Sequence, residues 1–366
     1  MSSNPYHVRL SGPTGAVNGT HSMKLRGDPD KLLFIVDPQN DFSDECAHRG
    51  NGSLSVAGST ADYIRIIEFL RTNDIQEVHV SLDTHSERHI AHPGFWDIFD
   101  GMHWVNATDN NSKLRKLSID EHGRIWGTSF ADGSVYPLKP RNHNYKEEEY
   151  HILNKYVKDY ISFFYKEDNS HLQPPMIWPN HCIEGTEGHK VASELHHFLE
   201  QWVNHVDGTG PYTKQRILRF HNKGRNNLVE MYSAFSSDKP ITARETLKLT
   251  KIAYDGEGIP TFENNSTGHQ TYESHNNNMN TDLNVPLIQH LLRNNNCVYF
   301  CGEARTHCVK STLMDVMDVV ESYPDTYDRA NVVLLKNMSS PIQDALDDIE
   351  GIMLSRGFGV SSIPFA

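Results

Sequence analysis

KLLFIVDPQNDF, residues 31–42, is an unbroken apolar run that stops at Asp37 and Pro38. A strand with one wet face alternates apolar and polar residues. A continuous apolar run closed by turn formers is the pattern of a strand buried on both faces, as in a parallel sheet covered by helices. The residues that follow continue the theme. TADYIRIIEFLRTN, 60–73, reads as a helix with Ile64, Ile67 and Leu70 on helical spacing, and EVHVSLDTH, 77–85, is a second buried strand ending in polar residues. Strand, helix, strand in this order predicts a crossover between parallel strands.

The same rhythm returns towards the other end of the chain. VASELHHFLEQWV (191–203) reads as a helix, RILRFHNK (216–223) as a strand, LNVPLIQHLLRNN (283–295) as a helix and CVYFCGEA (297–304) as a strand. THCVKSTLMDVMDVV (306–320) is a helix, NVVLLKN (331–337) a strand and PIQDALDDIEGIMLSRG (341–357) a final helix. The fold class expected is α/β, a three-layer α/β/α arrangement around a mostly parallel central sheet. Residues 1–28 read as a loose polar arm, and 29–366 as one domain with two insertions. The first, at about 97–175, contains a hairpin in RIWGTSFADGSVYPL (124–138) and a helix in EEEYHILNKYVKDYISFFY (147–165); an independent second domain there is the alternative. The second, at about 236–280, ends in the Asn-rich NNSTGHQTYESHNNNMN (264–280), expected as an exposed loop.

Bulk properties narrow the function. A formal net charge of −13 argues against nucleic acid as the main partner, since phosphate binding needs an excess of Lys and Arg. No apolar run is long enough to cross a bilayer, and MSSNPYHVRLSGPTG (1–15) lacks the hydrophobic core of a secretory leader, so no membrane association and a cytoplasmic location are expected. Five unevenly spaced cysteines with no CxxC pair do not make a disulfide framework or a zinc ribbon.

In an open parallel sheet, ligands sit beyond the carboxyl ends of the strands. Asp37, Asp83 with His85, Lys223, and the run from Glu303 to Cys308 all fall at such ends. Cys308 stands where strand gives way to helix. Unpaired N–H groups and the helix dipole there would favour the thiolate and could hold an oxyanion. A buried structural cysteine is the competing reading, and Cys297 and Cys301, inside the strand, are taken as packing. Asp37 is a candidate general base and acid, set against a turn-closing aspartate, a role given to Asp41. Lys223 could pair with Asp37, set against a solvated surface lysine. Asp83, His85 and His89 form D-x-H-x-x-x-H, a carboxylate–imidazole set suited to zinc, iron or manganese, with a remote third ligand expected. His181 is the best candidate; His92 is held back by the following Pro93. A hydrogen-bonded histidine cluster in a loop is the plainer reading.

Taken together these segments resemble the nicotinamidase branch of the isochorismatase-like cysteine hydrolases. The family's D-x-Q-N-D-F appears as Asp37 to Phe42, and its D-x-H with a further His as Asp83, His85 and His89. Its W-P-x-H-C-(V/I)-x-G-T-x-G appears as Trp178, Pro179, His181, Cys182, Ile183, Gly185, Thr186 and Gly188. Its K-G, with an aromatic and Ser further on, is Lys223 and Gly224 with Tyr232 and Ser233, and its G-x-A-x-x-H-C-V is Gly302, Ala304, His307, Cys308 and Val309. The resemblance anchors about two-thirds of the chain. It implies a catalytic triad of Asp37, Lys223 and Cys308, a non-proline cis peptide between Glu303 and Ala304, and an oxyanion hole from the backbone N–H groups of Ala304 and Cys308. It implies a divalent metal, zinc foremost with iron or manganese as alternatives, on Asp83, His85 and His181, with His89 nearby or coordinating. It implies a substrate pocket of Gln39, Phe42, Trp178, Tyr232 and His307. The partner expected is a small-molecule amide, and a homo-oligomer is compatible. Thr84 and Ser86 depart from the family, whose nicotinamide-cleaving members usually carry Trp or Phe and often Pro there. HIAHPGFW (89–96) and the long insertion resemble larger members. Nicotinamide is therefore the leading substrate. Another small amide or carbamoyl compound is the second reading, and a catalytically silent binding or assembly protein the third.

Overall fold

The structure is a computed structural model that describes residues 30–45, 50–109, 115–142, 145–170, 172–204, 216–242, 281–342 and 345–362, with the single positions 245 and 249. The arm expected at 1–28 and the Asn-rich loop at 264–280 lie outside the described residues.

The run that opened the sequence analysis is β1 (Lys31–Val36), and it lies inside a six-stranded sheet. Its neighbours are β2 (Glu77–Asp83) on one side and β10 (Cys297–Gly302) on the other. Beyond β2 lies β9 (Ile217–Lys223), and beyond β10 lie β11 (Val332–Leu335) and β12 (Gly359–Ser361). Every pairing in this sheet is parallel. The expectation of a mostly parallel central sheet is therefore met by this sheet, while a separate antiparallel sheet lies beside it in the chain.

Both faces of β1 are covered, which is why its sequence is apolar throughout. Leu33 and Ile35 pack against Tyr63, Ile66, Phe69 and Leu70 of α1 (Ser59–Thr72) and against Leu195, Leu199 and Trp202 of α3 (Ser193–Asn204). Leu32, Phe34 and Val36 pack against α4 (Val285–Leu291) and α5 (Lys310–Ser322) on the other face. Each such fully buried side chain contributes roughly 1.5–3 kcal/mol. The helix at 59–72 forms as expected. Of the three residues on helical spacing, Leu70 is buried and Ile67 packs against the same cluster, whereas Ile64 is 55% exposed; Tyr63, Ile66 and Phe69 complete the buried face.

Two boundaries at the C-terminal end also differ from expectation. The final helix is only α6 (Ile349–Ser355), and the short strand β12 follows it, pairing with β11. The helix expected from residue 306 begins as a π-helical turn, Arg305–Val309, before α5 proper.

The 97–175 stretch builds a second, antiparallel sheet ordered β4 (Trp104–Asn106), β3 (Trp96–Phe99), β7 (Val135–Pro140), β6 (Ile125–Ser129), β5 (Arg115–Ile119) and β8 (Met176–Ile177). The expected hairpin is β6 paired with β7, and the expected helix is α2 (Glu147–Phe164). Leu153, Val157 and Ile161 of α2 cover Leu117, Ile125 and Leu138 of this sheet. The same cluster takes in Ile90, Leu228 and Val229, residues that flank the polar centre described next.

Candidate active site

Strand order fixes where a ligand can sit. From β1 the chain moves outward to β2 on one side, whereas β10, β11 and β12 step outward on the other. The sheet therefore reverses direction between β1 and β10, and a crevice opens outside the carboxyl ends of strands at such a switch point. Asp37 leaves β1 there, with a left-handed φ of 46°, and Glu303 to Cys308 leave β10 beside it. Gly302 has φ 108°, and a Cβ on it would lie 2.1 Å from the Val36 carbonyl oxygen, so only glycine lets the two strand ends approach this closely. The Glu303–Ala304 peptide is cis.

Lys223, the last residue of β9, reaches across this crevice. Its Nζ lies 3.0 Å from Asp37 Oδ2 and 3.1 Å from Asp83 Oδ1, and it donates to Cys308 Sγ at 3.5 Å and to the Met231 carbonyl at 2.9 Å. All four side chains are buried. The lysine is thus far from the surface position that its polar segment allowed. Burial opposes its charge, yet Asp37 and Asp83 hold the ammonium well above its usual range. Burial lifts the Asp37 carboxyl above its ordinary value against the pull of Lys223. Its Oδ1 accepts a 2.6 Å hydrogen bond from Ser81 Oγ.

The thiol corrects one expectation. Cys308 lies within the π-helical turn and is buried, and burial raises it well above an ordinary thiol although Lys223 pulls down. The Asp37 and Asp83 charges and a hydrogen bond to Asp37 act in the same direction as burial and favour the S–H form. The helix-terminal lowering expected from sequence is outweighed by desolvation.

Asp83 links this trio to a histidine cluster. Its Oδ2 faces His85 Nε2 at 3.0 Å and His181 Nε2 at 3.4 Å. The opposite nitrogens decide the tautomers. His85 Nδ1 lies 3.0 Å from the Gly224 carbonyl oxygen and His181 Nδ1 lies 2.8 Å from that of Pro179. A carbonyl can only accept, so both Nδ1 atoms carry hydrogen and both Nε2 lone pairs converge on a carboxylate oxygen. His85 Nε2 is also buried without a hydrogen-bond partner. Two lone pairs and an anion pointed at one spot need a cation or a proton between them, and this donor set fits a divalent metal ion. Gly224, at φ 75°, leaves the space: a Cβ would sit 2.6 Å from His85 Cε1 and 2.8 Å from Asp83 Oδ1.

His89 is close to His85, with ring centroids 4.1 Å apart, and within ligand distance of Glu230. Its Nδ1 accepts from the Ala91 N–H at 3.2 Å and its Nε2 lies 3.0 Å from the Val229 carbonyl. Both nitrogens are spent on backbone, so of the two roles considered His89 takes the neighbouring one. His92, set aside from sequence, joins the cluster instead. Its Nδ1 faces the Ser86 carbonyl at 3.0 Å, which leaves Nε2 as an acceptor 3.2 Å from His181 Nδ1, a support that orients His181.

Of the expected pocket residues, Trp178, Tyr232 and His307 meet. Trp178 Nε1 donates to the Tyr232 hydroxyl at 3.1 Å, and the His307 ring lies edge-on to both, at 5.3 Å and 5.5 Å. Burial and the Lys310 charge bring His307 down to about 4, so it is neutral near pH 7. Phe42 packs 5.7 Å from His181. Gln39 is engaged with the backbone of its neighbours. It is fully buried, and its amide is consumed by Asp83: Nε2 donates to the Asp83 carbonyl at 2.8 Å and Oε1 accepts the Asp83 N–H at 2.7 Å. Its task is to hold Asp83. Asp41 has the structural role expected of it, accepting the Cys182 N–H at 2.7 Å.

Sequence reasoning missed Ser81, the partner of Asp37. The signal was available: Ser81 precedes Asp83 by two residues, and strand alternation places both on one face.

No family model and no curated protein matches this chain. Solved structures of similar fold include the yeast nicotinamidase Pnc1p bound to nicotinaldehyde, 16% identical with a TM-score of 0.47 over 91% of this chain and 100% of that one. Another is the PnC1 of L. infantum in complex with nicotinate, 16% identical with a TM-score of 0.44 over 92% and 94%. A third is the pyrazinamidase of Pyrococcus horikoshii in complex with zinc, 15% identical with a TM-score of 0.39 over 92% and 100%. Likenesses this distant carry no weight about chemistry, which rests on the distances above. No helix among the described residues is long and apolar enough to cross a membrane.

Proposed function

We propose that this chain is a cysteine amidohydrolase of the isochorismatase-like kind, with nicotinamide as its leading substrate, hydrolysed to nicotinate and ammonia. The observation that carries the reading is Lys223 Nζ lying 3.0 Å from Asp37 Oδ2 and 3.5 Å from Cys308 Sγ in a buried crevice at the sheet's switch point. Asp37 accepts the Cys308 proton as sulfur attacks the amide carbon, while Lys223 keeps Asp37 oriented. The backbone N–H groups of Ala304 and Cys308 take the oxyanion. Asp37 returns the proton to the departing nitrogen, the C–N bond breaks, and a thioester remains on Cys308. Water, deprotonated by Asp37, then attacks that carbon and the C–S bond breaks, which frees the acid and the thiol. A divalent metal held by Asp83, His85 and His181 would supply a Lewis-acid contact that orients a ring nitrogen. Phe42, Trp178, Tyr232 and His307 offer the ring its apolar walls.

In this reading the chain from 29 onward is one hydrolase domain of three layers, with the second sheet inserted, acting in the cytosol on a small amide without nucleic acid or membrane. One observation favours a different small amide or carbamoyl substrate. The second sheet's edge strand β8 runs directly into Trp178, and its core includes Ile90 and Val229 beside the histidines, so the insertion shapes the pocket wall. Ammonia release across a panel of nicotinamide, pyrazinamide, aliphatic amides and carbamoyl compounds tests all of this. Turnover of nicotinamide that vanishes in Cys308→Ala supports the leading reading, and turnover of another compound alone supports the second. Silence on the whole panel by metal-loaded protein overturns both.

A further inference from the structure

Behind the nucleophile turn lies a second acid pair that the mechanism does not use. Glu303 is the residue before Ala304, and its side chain is completely buried. Its Oε1 has no hydrogen-bond partner if both acids are ionised. Facing it is Asp62, on α1 and also buried, and Ser340 bridges the two carboxyls, its Oγ donating to Asp62 Oδ2 at 2.5 Å and its N–H to Glu303 Oε2 at 3.3 Å. Two buried carboxylates set against each other need a proton between them.

The remaining contacts say which acid holds it. Asp62 accepts from Arg65 Nη1 at 2.8 Å and from Ser340 Oγ at 2.5 Å, so its charge is satisfied. Glu303 receives only the Ser340 N–H, at 3.3 Å on Oε2. The other groups facing the pair do not neutralise Glu303: Tyr63 and Cys301 are buried, and Arg305 directs its guanidinium to Asp347 and to the carbonyls of Lys336 and Ser339.

We propose that Glu303 is a positioning residue: its carboxyl stays protonated, donates to Asp62, and so ties the turn bearing Ala304 and Cys308 to α1. Burial, together with the Asp62 charge, pushes Glu303 well above the carboxylate range, in keeping with that role. Ser340 completes the tie, since its carbonyl accepts the Arg305 N–H at 2.8 Å, while the neighbouring Ser339 Oγ donates to the Gly302 carbonyl at 2.6 Å. The turn is thus held from two sides, and the shared proton is the link to α1. The inference rests on the hydrolase reading for its kinetic consequence, but not for the proton itself.

The test joins infrared spectroscopy to kinetics on the full chain. At about pH 8.5 other raised acids such as Asp315, at about 7, are largely ionised. The wild-type minus Glu303→Gln difference spectrum should show a protonated carboxyl C=O band. Asp62→Asn should lose the band too, because its carboxamide N–H can donate to Glu303 and release the proton. Glu303→Gln, which keeps a donor for Asp62, should retain kcat within about twofold. Glu303→Ala should lose about tenfold or more in kcat with little change in KM, a fraction of what losing an oxyanion donor costs. No band in the wild type, a band that survives in Glu303→Gln, or equal kcat losses in the Gln and Ala variants overturns the proposal. If Glu303→Ala fails to fold, the band and the Gln and Asn variants decide. If the wild type hydrolyses no amide, the hydrolase reading fails while the infrared result still settles the proton.

Discussion

Removing the Lys223 charge, as in Lys223→Met, tests the centre of the molecule most directly. The Asp37 and Asp83 oxygens each lie about 3 Å from Nζ, so they are at most about 6 Å apart. At an effective dielectric of about 20, two unit charges at that distance repel by about 3 kcal/mol, equivalent to about two further pKa units on the more easily protonated acid. That acid is Asp37, which burial already raises, whereas Asp83 is buried too but kept well below its usual value by His85 and Lys223. The sign follows from linkage. A carboxyl whose folded pKa is raised contributes full stability below the unfolded value of about 3.9 and loses it as pH climbs towards the folded pKa. Lys223→Met widens that window upward. The variant should be about 3–5 kcal/mol less stable than wild type at neutral pH, the cost of leaving a buried charge unpaired. The deficit should grow with rising pH by up to about 1.4 kcal/mol per unit inside the window. Urea unfolding from about pH 5 to 8, on chelator-treated protein, measures this, and ammonia release measures the expected loss of turnover. A deficit that is small and flat across pH, or a variant that still turns over, would refute the electrostatic account of the crevice.

Three further outcomes follow from the same contacts. Cys308→Ala should abolish amide hydrolysis while zinc uptake by equilibrium dialysis stays unchanged, because the thiol is not among the converging ligands. Gly224→Ala puts a methyl 2.6 Å from His85 Cε1 at φ 75°. It should weaken zinc binding by about 10–100-fold and cost about 1–2 kcal/mol of stability, read by dialysis and urea melts; wild-type affinity would mean that His85 is not a ligand. Ser81→Ala removes the 2.6 Å hydrogen bond to Asp37 and should destabilise by about 1–3 kcal/mol with a lower kcat and near-normal KM. A KM effect alone would place Ser81 in substrate binding instead.

Much of the parallel sheet was legible because burial on both faces writes itself into composition: β1 has no polar residue between Leu32 and Val36. Strand ends were legible because chain polarity changes there, which brought Asp37, Asp83, Lys223 and Cys308 into consideration together. Tautomers, the thiol's state and the role of Gln39 were not legible, since each depends on contacts made across many residues of sequence. Gln39 reaches Asp83 and His189. The second sheet was read only as a hairpin and a helix because its other strands are short, two to five residues long, and pair across the insertion.

The least legible feature explains why the chemistry sits where it does. β2 and β9 carry Glu77, His79, Ser81, Asp83 and Arg219, His221, Lys223 at alternate positions, and all seven are buried. They form a polar ladder within the sheet, compensated rung by rung. At the foot, Glu77 is paired with Arg219 at 2.9 Å and Arg293 at 2.6 Å. In the middle His79 and His221 meet at 2.7 Å. At the top one ammonium is set between two carboxylates. Asp83 there has the Nε2 atoms of His85 and His181 aimed at one of its oxygens, which makes the carboxyl end of the sheet the candidate place for a cation. The foot of the ladder, already served by two guanidinium groups, offers a cation no such advantage, even though Glu77, His79 and His290 lie within ligand distance of one another. Among the described groups the foot of the ladder should therefore hold no ion, and a zinc lost on Glu77→Gln would show that charge balance does not govern where this sheet binds.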